Sequence, residues 1–235
     1  MIPISDHNPV RITPVVNWAI IALCIGIFLW ELSLGENGVD RIGDMLGFSP
    51  SSLLYPNSAA SHAIGVPPAV TVLTSMFLHG SILHIAGNML YLWIFGNNVE
   101  EAMGHVKYLL FYLLSGLGAA AGFYFMQPGS DMPMVGASGA ISGVLAAYVL
   151  LYPRAKVTVI IPLGIIFYPI AISAVWVVGA WFVLQLVSAA FSDPNQPGVA
   201  WWAHVGGFAA GIVLTPILKS RDVPLFGRYR RGPWN

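Results

Sequence analysis

The sequence predicts an all-α integral membrane protein, a bundle of six transmembrane helices in which the fourth is short and starts inside the bilayer. Of the 235 residues, 57% are hydrophobic and only 9% are charged, which is far from the composition of a soluble globular chain. The apolar residues fall into six runs, and the basic residues cluster in alternate connections between them. The formal net charge is zero, so the charge balance gives no indication of a nucleic-acid partner.

The six apolar runs are residues 15–34, 81–95 with an apolar approach from 70, 108–126, 138–151, 170–190 and 201–218. A helix needs about 20 apolar residues to cross a bilayer. No small-residue cleavage site follows the first run, so we expect a retained anchor. The predicted organisation is a cytoplasmic segment at 1–14, a six-helix membrane domain at 15–218 and a basic cytoplasmic tail at 219–235.

The fourth run has only 14 residues, about 21 Å of helix, so it cannot cross a core of about 30 Å. We therefore expect it to begin inside the membrane, with residues 129–136 dipping inwards. Irregular chain at that depth is tolerated where it lines a protein or water-filled cavity. The sequence thus predicts a water-accessible cup that opens to the outer side.

The stretch from Val157 to Tyr168 is apolar but interrupted by Pro162 and Gly164, with Pro169 directly after it. As a helix it would be about 18 Å long, too short to span the membrane. We predict that it lies at the membrane surface.

Lysine and arginine predict the orientation of the bundle. In a six-span topology, nine of the ten basic residues fall on one side and only Arg41 on the other. Because cytoplasmic loops carry an excess of basic residues, both termini are predicted to be cytoplasmic.

Three polar residues are predicted to lie at one depth. Counted from the charged cytoplasmic ends of their helices, Ser138, His204 and His84 each lie about 22 to 24 Å up, and Asn88 lies one turn deeper than His84. Serine and histidine are the nucleophile and general base of acyl transfer. His84 and Asn88 share a helix face and can donate hydrogen bonds to an oxyanion, beside Gly136 and the N-terminus of the fourth helix.

Each of these signals also has a structural interpretation. The small residues around Ser138 and the stripe Ala203, Gly207, Gly211 are typical of close helix packing. An intramembrane histidine or asparagine can simply bond neighbouring helices. All ten Asp and Glu residues map to loops or to the ends of spans, so a Ser-His dyad is predicted, with no visible partner to orient the imidazole.

Three motifs resemble those of the rhomboid family of intramembrane serine proteases: residues 77–100, Gly-Ala-Ser-Gly-Ala-Ile at 136–141 and Ala-His-Val-Gly-Gly at 203–207. The resemblance implies that Ser138 is the nucleophile and His204 the base, while His84 and Asn88 donate to the oxyanion. It implies structural roles for His79 and Glu100. One position departs from the family pattern: some members have an aromatic residue four places after the nucleophile, where this chain has Ser142.

The resemblance also implies a six-helix core without a cofactor, and transmembrane proteins as substrates, cleaved near the outer end of their helices. Entry beside the fifth span is expected, with residues 193–198 as a lid. The compact chain predicts the bacterial inner membrane as the location, with an organellar membrane as the alternative. No His-Glu-x-x-His motif is present, so no metal site is predicted, and the lone Cys24 excludes an intramolecular disulfide. Two alternatives stay open: a non-catalytic factor that binds transmembrane clients, and a small-solute channel or transporter.

Overall fold

The computed structural model describes residues 2–55, 66–163, 166–192 and 198–227, and most of them are helical. The helices are α1 (Val15–Ser33), α2 (Gly38–Leu46), α3 (Pro50–Leu54), α4 (Pro68–Thr74), α5 (Ile82–Met103), α6 (His105–Met126), α7 (Ser138–Leu151), α8 (Ala174–Phe191) and α9 (Trp201–Leu218). The strands are β1 (Ile2–Asp6), β2 (Lys156–Leu163) and β3 (Ile166–Ser173). A short 3₁₀ turn, Ser75–Phe77, extends α4, and α5 contains a π-helical turn at Leu92–Gly96.

Four described helices, α1, α6, α8 and α9, are long and apolar enough to cross a membrane. The pair formed by Pro68–Phe77 and α5 passes the same test together but is bent by 78°. The helix α7 has the predicted bounds and is too short to cross by itself. The predicted mostly helical membrane bundle is confirmed, whereas the count of six spans stays a prediction.

A three-stranded antiparallel sheet is the main departure from the all-α prediction. The segment from Val157 to Tyr168 forms most of a hairpin of β2 and β3, in which Val157 pairs with Ile172 and Ile160 with Pro169. The strand β1 adds to the other edge of β2, so Ile2–Asp6 of the predicted N-terminal segment belongs to this sheet. Pro162 and Pro169, which argue against a spanning helix, lie in the paired strands of this hairpin. The third strand, β1, comes from more than 140 residues earlier in the chain.

The helices α7 and α9 pack with their backbones nearly in contact. A Cβ added to Gly211 on α9 would lie 2.5 Å from the carbonyl oxygen of Gly143 on α7. One turn earlier on α9, a Cβ on Gly207 would overlap the carbonyl group of Gly139. The stripe of small residues in the sequence therefore forms the contact between these two helices, as is common in membranes.

A buried polar network ties α1 to α5 and α6. The Glu100 carboxylate accepts hydrogen bonds from the backbone N–H groups of Val16, at 3.0 Å, and Asn17, at 2.7 Å. Asn17 Nδ2 donates to the Leu92 carbonyl at 3.0 Å, and Tyr108 Oη donates to Asn17 Oδ1 at 2.8 Å. Leu92 is the first residue of the π-helical turn. The Asn17 side chain of α1 therefore bonds the α5 backbone where the regular α-helical hydrogen bonds are interrupted.

The first part of the predicted basic tail folds back onto the bundle. Ser220 N–H donates to the Ala102 carbonyl at 2.8 Å, and Phe226 N–H donates to the Leu150 carbonyl at 2.6 Å. Arg228, Arg230 and Arg231 lie outside the described residues.

Replacing Gly211 by alanine should destabilise the bundle. The added methyl group would meet the Gly143 backbone, and overpacking of this kind costs about 1 to 3 kcal/mol. Gly179→Ala on α8 is the matched control, because nothing lies within 4 Å of its added Cβ. The thermal midpoint in detergent should fall for Gly211→Ala and stay level or rise for Gly179→Ala. Equal midpoints for the two variants would contradict this packing.

The sheet carries a carboxyl group that should make stability depend on pH. Burial raises the pKa of Asp6 from 3.8 to about 6, although Tyr148 Oη donates a 2.6 Å hydrogen bond to its Oδ2. Because the folded-state pKa lies above the unfolded one, the stabilising contribution of protonated Asp6 is complete below about pH 4 and is lost as the pH rises through 6.

Asp6→Asn should remove this pH dependence, since an amide stays neutral and can still accept from Tyr148. The thermal midpoint of the variant relative to the unsubstituted protein should therefore rise between pH 4 and pH 6.5. Asp40→Asn, at an exposed position on α2, is the control and should show no such change. A constant difference between Asp6→Asn and the parent across that window would refute the assignment.

Candidate active site

Ser138 is the first residue of α7 and lies where an irregular segment enters the bundle. Gly136 has a φ of +123°, a conformation that side chains disfavour, and its N–H donates to the Ser75 carbonyl at 2.8 Å. The chain therefore turns sharply and α7 begins with Ser138. Backbone N–H groups in the first turn of a helix have no partner one turn earlier and carry the positive end of the helix dipole.

His204 lies one turn inside α9 and faces the start of α7. Its Nε2 is 2.8 Å from Ser138 Oγ, which is hydrogen-bond distance. The histidine is only 8% exposed, while Ser138 is half-buried. The structure thus brings together the two residues that the sequence analysis places at one depth, and the glycine contacts between α7 and α9 set their separation.

His84 and Asn88 lie one turn apart on α5, beside Gly136. A Cβ added to Gly136 would be 2.7 Å from His84 Nε2 and 3.5 Å from Asn88 Nδ2. Asn88 Nδ2 is buried and has no hydrogen-bond partner within the described part of the chain. Two side chains with ring or amide nitrogens therefore flank the backbone just before Ser138, and any residue larger than glycine at 136 would displace them.

One cavity of about 570 Å³ lies at this site. Its wall includes Gly136, Ser138, His204 and His84, and it extends to Gln127 at the end of α6 and to Val199 before α9. Residues 193–197 of the predicted lid lie outside the described residues. The cavity is large enough to admit a short stretch of extended peptide and several water molecules.

The imidazole of His204 has partners that the sequence analysis did not identify. Its Nδ1 is 2.6 Å from Oε1 of Gln185 on α8. The rings of Trp181 and Trp201 have centroids 6.0 Å from the imidazole, one tilted and one edge-on. Ser142, at the position that is aromatic in some rhomboids, instead donates its hydroxyl to the Ser138 carbonyl at 2.7 Å.

Gln185 carries a signal that could have been found in the sequence. It is the only amide side chain in the apolar helix α8, and a polar residue inside a span needs a partner. Its spatial neighbour could not be deduced from its sequence position, because periodicity does not specify how α8 packs against α9.

His79 and Glu100 lie apart from the pair. The His79 ring packs edge-on against that of His84 at 5.3 Å, and both of its ring nitrogens lack hydrogen-bond partners among the described residues. Glu100 belongs to the network at the start of α1. In the part of the chain that the structure describes, no group of three or more His, Cys, Asp or Glu side chains could hold a metal ion.

The model of the Rhomboid domain matches residues 68–221. The chain is 27% identical over 200 residues to Rhomboid protease GlpG of Klebsiella pneumoniae, covering 84% of this chain and 61% of that protein. It is 32% identical over 165 residues to RHOMBOID-like protein 4 of Arabidopsis thaliana, covering 69% and 37% of the two chains. It is 30% identical over 154 residues to Rhomboid protease AarA of Providencia stuartii, covering 60% and 53%.

The chain therefore spans about three fifths or less of the length of these relatives. The matched domain nevertheless makes up well over half of this chain and includes His84, Asn88, Ser138 and His204. The resemblance that the three sequence motifs indicate is confirmed, and the chain belongs to the rhomboid family.

Proposed function

We propose that this protein is an intramembrane serine protease that cleaves transmembrane substrates with a Ser138-His204 dyad. The observation that carries the proposal is the 2.8 Å contact between Ser138 Oγ and His204 Nε2 in the wall of a cavity within an apolar bundle. A serine hydroxyl is a weak nucleophile unless a base accepts its proton. A buried histidine at hydrogen-bond distance supplies that base.

In the proposed reaction, Ser138 Oγ attacks the scissile carbonyl carbon while His204 Nε2 takes the hydroxyl proton. The resulting tetrahedral intermediate collapses to an acyl-enzyme as His204 returns the proton to the leaving amine. A water molecule in the cavity then attacks the acyl group, with His204 again acting as base, and releases Ser138. No residue other than this pair needs to change protonation state.

The developing oxyanion is stabilised by donors around Gly136. The N–H groups at the start of α7 point towards the cavity end of the helix, and the Asn88 amide has a buried donor without a partner among the described residues. His84 adds a ring N–H when its proton is on the nitrogen that faces the cavity. An unsatisfied buried donor costs free energy in the resting protein, so it is better explained by a ligand that it binds during turnover.

The substrates and the side of cleavage follow from the same arrangement. The basic residues support cytoplasmic termini and a cavity open to the extracytoplasmic side, and the bacterial inner membrane is the location that we propose. A transmembrane helix hides its peptide bonds in its own hydrogen bonds, so a substrate must unwind before Ser138 reaches it. Cleavage is therefore expected near the outer end of a substrate helix. We propose that the substrate enters beside α8 and that the reaction needs no cofactor.

Removing either member of the dyad should abolish cleavage. Purified protein in detergent is treated with a fluorescent fluorophosphonate and, separately, with a model single-span substrate. Ser138→Ala should lose both labelling and cleavage, and His204→Ala should lose cleavage, because the hydroxyl then lacks its base.

Ser33→Ala is the control, since this exposed hydroxyl at the end of α1 bonds only the Trp30 carbonyl in the structure. It should behave like the parent protein. Undiminished cleavage by Ser138→Ala would overturn the proposal, and substrate capture without cleavage by the parent protein would favour the non-catalytic client-binding alternative.

Asn88→Ala should lower kcat by about 10² to 10³ with a much smaller change in KM, because the lost donor acts on the oxyanion of the transition state. Asn98→Ala is the matched control: it removes another buried asparagine from α5, ten residues further along the chain than Asn88. Its kcat per folded molecule should stay near that of the parent. Similar kcat values for the two variants would exclude Asn88 as a principal donor.

A further inference from the structure

We infer that Gln185 on α8 positions His204 for catalysis, taking the place that a carboxylate holds in a three-residue triad. This inference deepens the proposed function and rests on it. Gln185 does not touch the reacting atoms, so it is a positioning residue that acts through His204.

The contact between Gln185 and His204 is short and shielded. Oε1 of Gln185 lies 2.6 Å from His204 Nδ1, and the two side chains are 6% and 8% exposed. They come from neighbouring helices, and water has little access to the bond between them. A hydrogen bond in such surroundings is stronger than one at the surface, and losing one partner leaves a buried polar atom unsatisfied.

The other end of the Gln185 amide agrees with this orientation. Nε2 of Gln185 lies 3.4 Å from the Trp181 carbonyl, one turn earlier on the same helix, which is a long hydrogen bond. A carbonyl can only accept, so this contact favours the NH₂ group at Trp181 and the oxygen at His204.

This arrangement selects the tautomer of His204. An amide oxygen only accepts hydrogen bonds, so His204 Nδ1 must carry the proton in the neutral ring. Nε2 is then left with a lone pair, and it faces the hydroxyl of Ser138 at 2.8 Å. In the opposite tautomer the single N–H of the neutral ring would be on Nε2 and point at the hydroxyl, so Nε2 could not accept the hydroxyl proton.

No carboxylate competes for this role on the helices next to the imidazole. The helices α7, α8 and α9 contain no Asp, Glu, Lys or Arg, and the titratable side chain facing His204 across the cavity is His84 on α5. Trp181 and Trp201 confine the ring but offer it no acceptor at hydrogen-bond distance. Among the residues that the structure describes, Gln185 is therefore the side chain at hydrogen-bond distance from Nδ1.

The test compares Gln185→Met, Gln185→Asn and Gln185→Glu in the full chain, with kcat, KM and the thermal midpoint measured for each. Methionine keeps the shape and removes the acceptor, so kcat should fall about 10- to 100-fold with KM little changed. Asparagine keeps the amide but is one methylene too short, and its kcat should fall similarly. Glutamate restores an acceptor at full reach and should recover at least half of the parent kcat.

Gln185→Glu should also move the acid limb of the pH–kcat profile to higher pH. A carboxylate beside the ring stabilises the protonated imidazole, so a higher pH is needed to generate the basic form. A residue that only filled space would leave the acid limb unchanged. Leu184→Met, at an exposed neighbouring position on α8, is the control and should match the parent in kcat and pH profile.

Parent-like kcat in Gln185→Met, alongside an inactive Ser138→Ala, would overturn the positioning role while leaving the protease assignment intact. Active Ser138→Ala would instead overturn the protease assignment. Where Gln185→Met lowers the thermal midpoint, the comparison of Gln185→Asn with Gln185→Glu decides: a low kcat for the first and a high one for the second supports the role, and equal values overturn it.

Discussion

The close approach of the α7 and α9 backbones is the constraint on which the site depends. Side chains on two helices at ordinary separation would hold Ser138 and His204 apart, because a serine side chain is only two heavy atoms long. Glycines at 143 and 211 let the backbones meet without Cβ atoms between them. In lipid, where apolar burial drives little helix association, such contact gains dispersion energy along the helix pair. The packing that stabilises the bundle also sets the distance between hydroxyl and imidazole.

The second constraint is that the site needs polar groups at a depth where most side chains are apolar. The short helix α7 exposes unbonded backbone N–H groups inside the bundle, and the bend between α4 and α5 lets α5 begin with the Ser81 side chain accepting from His84 N–H at 3.1 Å. Both helix starts therefore lie at the cavity. Gly136, with its positive φ, joins them by letting the chain turn tightly against His84. Backbone geometry thus creates a polar compartment in an apolar bundle with few polar side chains.

Much of this arrangement could be predicted from sequence because the bilayer limits the choices. The bounds of α7 and α9 follow from the apolar runs, and counting from the charged ends brings Ser138 to the depth of His204. The sheet could not be predicted, since β1 pairs with β2 across most of the chain length and the prolines of the hairpin only exclude a helix. Gln185 was missed for a similar reason: its partner is set by how α8 leans on α9, and periodicity does not encode that contact.

A neutral amide is physically well suited to the place that Gln185 occupies. A carboxylate there would be charged, nearly inaccessible to water and without a cationic partner on α7, α8 or α9, and burying such a charge costs several kcal/mol. An amide oxygen accepts the same Nδ1 hydrogen bond at a far smaller desolvation cost, and the Trp181 carbonyl bonds its NH₂ group. In the proposed mechanism, what the amide gives up is the electrostatic stabilisation of the imidazolium that would form during turnover. The proposed site would retain the orientation and tautomer of His204 without a buried charge, and the donors around Gly136 would stabilise the oxyanion.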